Sequence, residues 1–235
     1  MNKQQLANKI WESANKMRSK IEANEYKDYI LGFIFYKYLS DQEIAFLRQN
    51  GVSDEEMPDI TEEDKDTVEF IQNGIGFFIA YENLFSTWLS MGKDFDVSNV
   101  RDALSAFSRL IKLTHEKVFS GIFDTLQTGL SKLGDSSATQ TKSIRDLLYL
   151  IKDIPMDGKQ DYDVLGFIYE YLIEKFAANA GKKAGEFYTP RAVTRFMVDR
   201  VDPKLGESIM DPACGTGGFL ACAFDHVKNK YVKSV

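Results

Sequence analysis

The apolar residues in the first part of the chain recur at the spacing of an amphipathic helix. In QQLANKIWESANKMRSKI (4–21) they stand three or four positions apart, so one side of a helix would be buried. The next apolar segment, YKDYILGFIFYKYLSDQEIAFLRQ (26–49), is hydrophobic on nearly all sides at its centre, which predicts the central helix of the core. Further helices are predicted over about 81–91, 98–117, 141–152, 162–180, 190–201 and 219–234.

Turn-forming residues divide this helical pattern. GIGFFIA (74–80) is typical of a short strand or a buried turn, and GDSSATQ (134–140) and PMDG (155–158) are predicted to be polar linkers. The second linker precedes a change in character along the chain. We therefore predict a helical domain over residues 1–158 and the start of a second domain over residues 159–235.

The second domain is predicted to open as an α/β sheet opens. DPKLG (202–206) turns the chain, and ESIMD (207–211) is typical of a short strand with Ile209 and Met210 at its apolar centre. Glycines and a helix follow. Strand, glycine turn and helix form the first βα unit of a Rossmann-like domain.

Charge is distributed unevenly between the two parts. The formal net charge is −6, which disfavours a free-standing DNA-binding protein, because affinity for duplex DNA depends on neutralising phosphates. Residues 181–235, however, hold nine Lys and Arg against six Asp and Glu. The acidic run DEEMPDITEEDKDTVE (54–69) is interpreted as a solvated surface.

The cysteines and histidines do not indicate a metal site or a disulfide. Cys214 and Cys222 form no Cys-x-x-Cys pair, and His115 lies far from His226 in the sequence. No run of 18 apolar residues occurs, and the first residues lack the apolar centre of a signal peptide. We therefore expect a cytoplasmic protein that makes no membrane contact.

The segment DPACGTGGFL (211–220) carries the strongest chemical signal. A glycine turn lets the backbone approach a ligand closely, and the first N–H groups of the following helix attract an anion. A dinucleotide fingerprint counted from Gly215 would need glycine where Leu220 stands, and a P-loop would need a lysine, so both fit poorly. Asp211 suits a ligand that also carries an ammonium group. S-adenosylmethionine has such an amino acid moiety.

DPACGTGGFL resembles motif I of amino-methyltransferases that act on DNA, and GEFYTPRAV (185–193) resembles the motif X of the N6-adenine group. The order of a helical domain, EFYTPR and then DPACGTGG is similar to that of the modification subunit of type I restriction-modification systems. This resemblance implies a truncated Rossmann-like S-adenosylmethionine-dependent methyltransferase domain. The cofactor-binding residues that it implies are Glu186, Phe187, Tyr188, Thr189, Pro190, Arg191, Asp211, Cys214, Gly215, Thr216, Gly217 and Gly218.

Several of these residues also have structural interpretations. Thr189 could cap the next helix, with Pro190 at its first position, and Arg191 could be a solvated residue of the first turn. Phe187 is interpreted as a packing residue. Cys214 is interpreted as a small neutral lining residue and not as a nucleophile, because no histidine stands near it in the sequence.

The resemblance implies transfer of a methyl group to the exocyclic amine of a flipped adenine, in a complex with DNA, a specificity subunit, a restriction subunit and a second modification subunit. The family holds the adenine with an Asn-Pro-Pro-aromatic segment, but no such segment occurs in this sequence. No catalytic residue is therefore predicted here. The chain is expected to be an amino-terminal fragment that is inactive alone and binds the cofactor weakly or not at all.

Two alternatives remain at the level of sequence. Residues 1–158 could serve as a non-catalytic helical module that contacts DNA or other subunits. The basic residues Lys3, Lys9, Lys16, Arg18 and Lys20 offer a modest surface for that, although a solvated helix face explains them too. A nicotinamide-dependent oxidoreductase is disfavoured by Leu220.

Overall fold

The computed structural model describes residues 2–17, 23–157, 160, 164–179, 189–215 and 217–231. The side chains of residues 13–17, 23–27 and 173–179 lie outside this description. The chain divides into two compact units, Met1–Gly181 and Lys182–Val235.

The described part of the first unit is built from helices. Its α-helices are α1 (Lys3–Met17), α2 (Ala23–Gln49), α3 (Lys65–Ile75), α4 (Phe85–Ser90), α5 (Val97–Arg109), α6 (Glu116–Phe119), α7 (Asp124–Gly129), α8 (Ser137–Ile151) and α9 (Val164–Asn179). Short 3-10 turns lie at Met57–Asp59, Tyr81–Asn83, Leu113–His115 and Leu130–Leu133.

Helix α2 is the centre of the first unit, as its apolar pattern predicts. It contacts α1, α3, α4, α7, α8 and α9. Ile30, Phe33 and Ile34 on α2 are fully buried, and so are Leu6 and Ile10 on the apolar face of α1. The hydrophobic pattern therefore identified the buried faces of both helices correctly.

Polar side chains of α2 hold the segment between α3 and α4. Tyr36 donates a hydrogen bond to the carbonyl of Asn83 (2.9 Å), and Ser40 accepts one from the N–H of Phe85 (2.9 Å). Glu43 Oε2 accepts from the N–H of Ile79 (2.8 Å). The stretch 77–80 is buried and forms neither a helix nor a strand, and the side chain of Glu43 satisfies one of its backbone N–H groups.

The structure corrects three helix boundaries. The helix predicted over 98–117 ends at Arg109 and gives way to a 3-10 turn and the short α6, and the one predicted over 81–91 divides into a 3-10 turn and α4. The predicted linker 134–140 already contains the start of α8. Ser136 and Thr139 cap this helix reciprocally, and the sequence interpretation missed that signal.

The second unit contains α10 (Arg191–Val201) and α11 (Gly218–Tyr231). Val198, Cys222 and Ala223 are buried between them. The predicted strand 207–211 is not formed, and the described residues include no strand elsewhere. A strand is defined by hydrogen bonds to a neighbour, and no neighbouring strand is present among them. Residues 207–211 therefore form a connection without strand pairing before α11.

No helix among the described residues is both long and apolar enough to cross a membrane.

Candidate functional site

The start of α10 carries the described end of the EFYTPR segment. Pro190 is the N-cap residue, with an extended ψ of 136°, and no side chain caps the helix. The helix thus begins one residue later than predicted, and the interpretation of Thr189 as its cap is wrong. Thr189 and Pro190 are both exposed.

Contacts along α10 and α11 show that the two helices run in the same direction. Arg191, the first residue of α10, donates to the sulfur of Cys222 (3.7 Å), one turn into α11. At the other end, Asp202 accepts from the ring of His226 (2.8 Å) and from Lys230 (2.7 Å). The amino-terminal ends of both helices therefore lie at the same end of this helix pair, and with them the described residues Thr189 and Pro190 and the glycine turn.

The turn between residues 207–210 and α11 is held by local hydrogen bonds. Asp211 Oδ1 accepts from the N–H of Ala213 (3.1 Å), and the N–H of Gly217 donates to the carbonyl of Cys214 (2.7 Å). Gly215 and Gly217 have φ of 53° and 76°, which an L side chain rarely adopts. An added Cβ at either glycine would meet no atom within 4 Å, so the space beside the turn is open.

The first turn of α11 faces this open space with hydrogen-bond donors. The first helical bond runs from the N–H of Ala221 to the carbonyl of Gly217 (2.8 Å). The N–H groups of Gly218, Phe219 and Leu220 therefore lack partners within the helix and carry its positive dipole end.

Asp211 lies at the edge of an apolar cavity of about 330 Å³ in the second unit. Its carboxylate makes no ion pair with any described residue. The cavity is lined by Met197, Val198, Val201, Pro203, Ile209, Met210, Asp211, Pro212, Phe219, Leu220 and Ala223. An acidic group thus stands between an apolar wall and the amide donors of the glycine turn.

The predicted site residues have different positions in the structure. Asp211, Gly215, Gly217 and Gly218 belong to the turn and the start of α11, and Arg191 reaches the same helix. The thiol of Cys214 is exposed. Four further predicted site residues lie outside the described residues: Glu186, Phe187, Tyr188 and Thr216.

A cluster of charged residues was not predicted from the sequence. Asp202 binds Lys204, Lys230 and His226, and His226 also contacts Asp199 (3.0 Å). These residues are far apart in sequence and follow no motif, so only the packing of the two helices reveals the cluster. No group of His, Cys, Asp and Glu in the described part of the chain is arranged to hold a metal ion.

The predicted basic surface of α1 is described in part. Lys9 donates to Asp153 (2.7 Å), so it is engaged within the first unit. The side chains of Lys16, Arg18 and Lys20 lie outside the described residues.

Two family profiles match consecutive parts of this chain. The profile described as N-6 DNA Methylase matches residues 160–235, where the glycine turn lies. The profile described as HsdM N-terminal domain matches residues 6–151, more than half of the chain. The chain therefore belongs to the HsdM family of type I restriction-modification methylase subunits, which confirms the resemblance seen in the sequence.

Individual relatives agree with this assignment. The type I restriction enzyme EcoEI methylase subunit of Escherichia coli is 60% identical over 91 residues, which are 39% of this chain and 18% of that protein. The MjaIX methylase subunit of Methanocaldococcus jannaschii is 30% identical over 236 aligned positions, covering 96% of this chain and 40% of its own length.

A solved structure shares the fold. The type I restriction-modification methyltransferase subunit of Streptococcus thermophilus is 28% identical and superposes with a TM-score of 0.75, covering 97% of this chain and 50% of its own. The chain thus spans half or less of the length of each of these three relatives.

Proposed function

We propose that this chain forms part of a site-specific adenine-N6 DNA methyltransferase that uses S-adenosylmethionine. The observation that carries the proposal is the common end of α10 and α11. There Arg191, from the EFYTPR segment, reaches the helix that follows the glycine turn. The family profile over residues 160–235 supports the same reaction class.

The described residues suit the amino acid end of this cofactor. The carboxylate of Asp211 can accept from an ammonium group, and the amide donors of Gly218 and Phe219 can bind a carboxylate. Open space beside Gly215 and Gly217 leaves room for the ligand to approach the backbone. When bound, S-adenosylmethionine supplies the methyl group.

The contribution of these residues is binding and orientation. Placing the two charges of the cofactor fixes its direction relative to a substrate base, which is how positioned groups lower a reaction barrier. The sequence contains no Asn-Pro-Pro segment, so we assign the adenine contacts to parts of the enzyme other than these residues. The residues of this chain then bind and orient the cofactor.

We infer that ESIMD (207–211) becomes the first strand of a Rossmann-like sheet in the whole enzyme. The parallel helix pair supports this, because the connection between two parallel helices must run back along them, as the strand of an αβα unit does. The exposed side chains of Ile209 (46%) and Met210 (85%) would then point to opposite faces of the sheet and be covered by the helices packed there.

The whole enzyme is proposed to act in the cytoplasm, with DNA, a specificity subunit, a restriction subunit and a second modification subunit as partners. The names of the relatives support membership of a type I restriction enzyme. We assign contacts with DNA or other subunits to the helical domain over residues 1–158, and the match to the HsdM N-terminal domain supports this assignment.

Calorimetric titration of the full-length protein with S-adenosylmethionine tests the cofactor assignment. Replacing Asp211 with Asn should weaken binding by roughly 1.5–3 kcal/mol, because a hydrogen bond to a charged group is lost. The 235 residues alone should bind weakly or not at all, since the contacts proposed here involve only the amino acid end of the cofactor.

Asp225→Asn is the matched control, since it removes the same charge from an exposed position of α11. Its affinity should equal that of the wild type. Equal affinity for Asp211→Asn and the wild type would contradict the role of Asp211. Absence of binding to the wild-type full-length protein would contradict the cofactor itself.

A further inference from the structure

The cluster around Asp202 joins the carboxyl-terminal ends of α10 and α11. Its carboxylate accepts from Lys230 at 2.7 and 2.9 Å and from His226 Nε2 at 2.8 Å, and Lys204 binds the same group. His226 Nδ1 lies 3.0 Å from a carboxylate oxygen of Asp199. Each ring nitrogen of His226 therefore lies within hydrogen-bond distance of a different carboxylate.

Asp202 also has an uncommon backbone conformation. It ends α10 with φ 49° and ψ 57°, in the left-handed region, and it is the non-glycine residue of the described chain with a positive φ. Such a conformation costs about 1 kcal/mol for most residues and is tolerated best by Asn and Asp. The ion pairs from α11 use the carboxylate that this residue places at the end of α10.

The helix pair connects this cluster with the glycine turn. Arg191 and Cys222 meet at one end, and Asp202 and Lys230 meet about 16 Å away along α10. The chain between Asp202 and Gly218 begins at the cluster and ends at the turn. A slide of α11 along α10 would therefore displace the turn relative to Arg191.

We propose that Asp202, with His226 and Lys230, is a positioning element that fixes the register of α11 on α10 and so places the glycine turn. The effect of this element on cofactor affinity depends on the proposed function. These three residues lie at the opposite end of the helix pair from the turn, so they act through the helices. The buried apolar contact between the described parts of the two helices is small and consists of Val198, Cys222 and Ala223. Polar contacts can therefore contribute to holding the helices in register.

Hydrogen exchange of the 235-residue chain, read by mass spectrometry, tests the positioning directly. In Asp202→Asn the backbone conformation is still tolerated but the charge is lost, so the hydrogen-bonded amides of Ala213, Gly217 and Ala221 should exchange about tenfold faster. Mid-helix amides of α10 should keep their protection, and so should those of α2. Asp225→Asn should exchange as the wild type does.

Affinity provides a second readout in the full-length protein. Asp202→Asn should raise the dissociation constant for S-adenosylmethionine about tenfold, although Asp202 lies away from the proposed ligand contacts. Loss of protection throughout α10 and α11 would show a merely structural role and overturn the proposal, and unchanged exchange of the turn would overturn it too.

His226→Gln provides an independent variant that leaves Asp202 unchanged. It removes the ring that joins Asp199 and Asp202, and it should also accelerate exchange of the turn. If the wild-type full-length protein binds no S-adenosylmethionine, the proposed function fails. The exchange experiment then still decides whether the cluster positions the turn.

Discussion

Glu43 holds a local structure by a hydrogen bond, but the burial of its carboxyl group lowers the stability of the folded unit. Its side chain is fully buried on α2, and one carboxylate oxygen accepts from the N–H of Ile79. The other oxygen has no partner among the described residues. Burial raises the pKa of the Glu43 carboxyl well above its ordinary value, against the lowering effect of the Ile79 hydrogen bond. Ionising this residue in the folded state is therefore costly.

Replacement of Glu43 by Gln should increase stability at neutral pH. A carboxyl group whose pKa is raised by folding binds more protons in the folded state, so its contribution to stability falls as pH rises above the unfolded value of about 4.3. Gln keeps the acceptor for Ile79 and carries no charge. The gain in the free energy of unfolding, measured in urea, should be present at pH 7 and disappear below about pH 4.

Glu69→Gln on the exposed surface of α3 is the control for this experiment. It removes an equal charge without burial, so its effect should be within about 0.5 kcal/mol at both pH values. A loss of stability in Glu43→Gln at pH 7 would mean that the ionised carboxylate is stabilised in the fold. The interpretation of a costly buried acid would then be wrong.

At the scale of elements, caps decided where helices begin. The hydroxyl of Ser136 accepts a hydrogen bond from the N–H of Thr139, and the hydroxyl of Thr139 accepts one from the N–H of Ser136. This reciprocal pair begins α8 inside a stretch whose composition is typical of a linker. Composition alone predicted a loop there, because Gly, Ser and Asp dominate loops and caps equally.

Ser136→Ala should destabilise the first unit by about 1 kcal/mol, the usual effect of losing a helix cap. The adjacent Ser137→Ala lies in the first turn of the same helix and removes no described hydrogen bond. Its effect should be close to zero. Thermal or urea unfolding of the two variants checks this difference, and equal unfolding curves would show that the cap contributes nothing measurable.

The segment ESIMD (207–211) shows where the prediction of secondary structure from the sequence fails. Its apolar centre at Ile209 and Met210 is typical of a strand, and the structure shows a connection without strand pairing. A helix satisfies its hydrogen bonds within itself, whereas a strand depends on a neighbour. Helices could therefore be predicted from local spacing alone, and the strand could not.

At the scale of the whole molecule, α9 belongs to the packing of the first unit. Ile168 and Leu172 are fully buried, and α9 contacts both α1 and α2. The family profile that begins at residue 160 includes this helix with the methylase part. The domain boundary at residue 158 stays a prediction, and the packing of α9 provides a way to test it.

A chain ending at residue 157 should fold as a helical protein but be less stable than one ending at residue 181. Each buried aliphatic side chain of α9 contributes roughly 1.5–3 kcal/mol, so the difference should be about 3 kcal/mol or more. Circular dichroism and urea unfolding of the two chains provide the comparison. Equal stability would show that α9 adds nothing to the helical domain, and an unfolded shorter chain would contradict the boundary.

By itself the sequence determined the buried faces of α1 and α2, the family, and the turn at Asp211, because each depends on residues close together in the chain. The tertiary structure alone decided that Arg191 reaches Cys222 and that Asp202 binds His226 and Lys230. It also decided that Glu43 is buried. These contacts join residues distant in sequence, so they form only when the helices pack against one another.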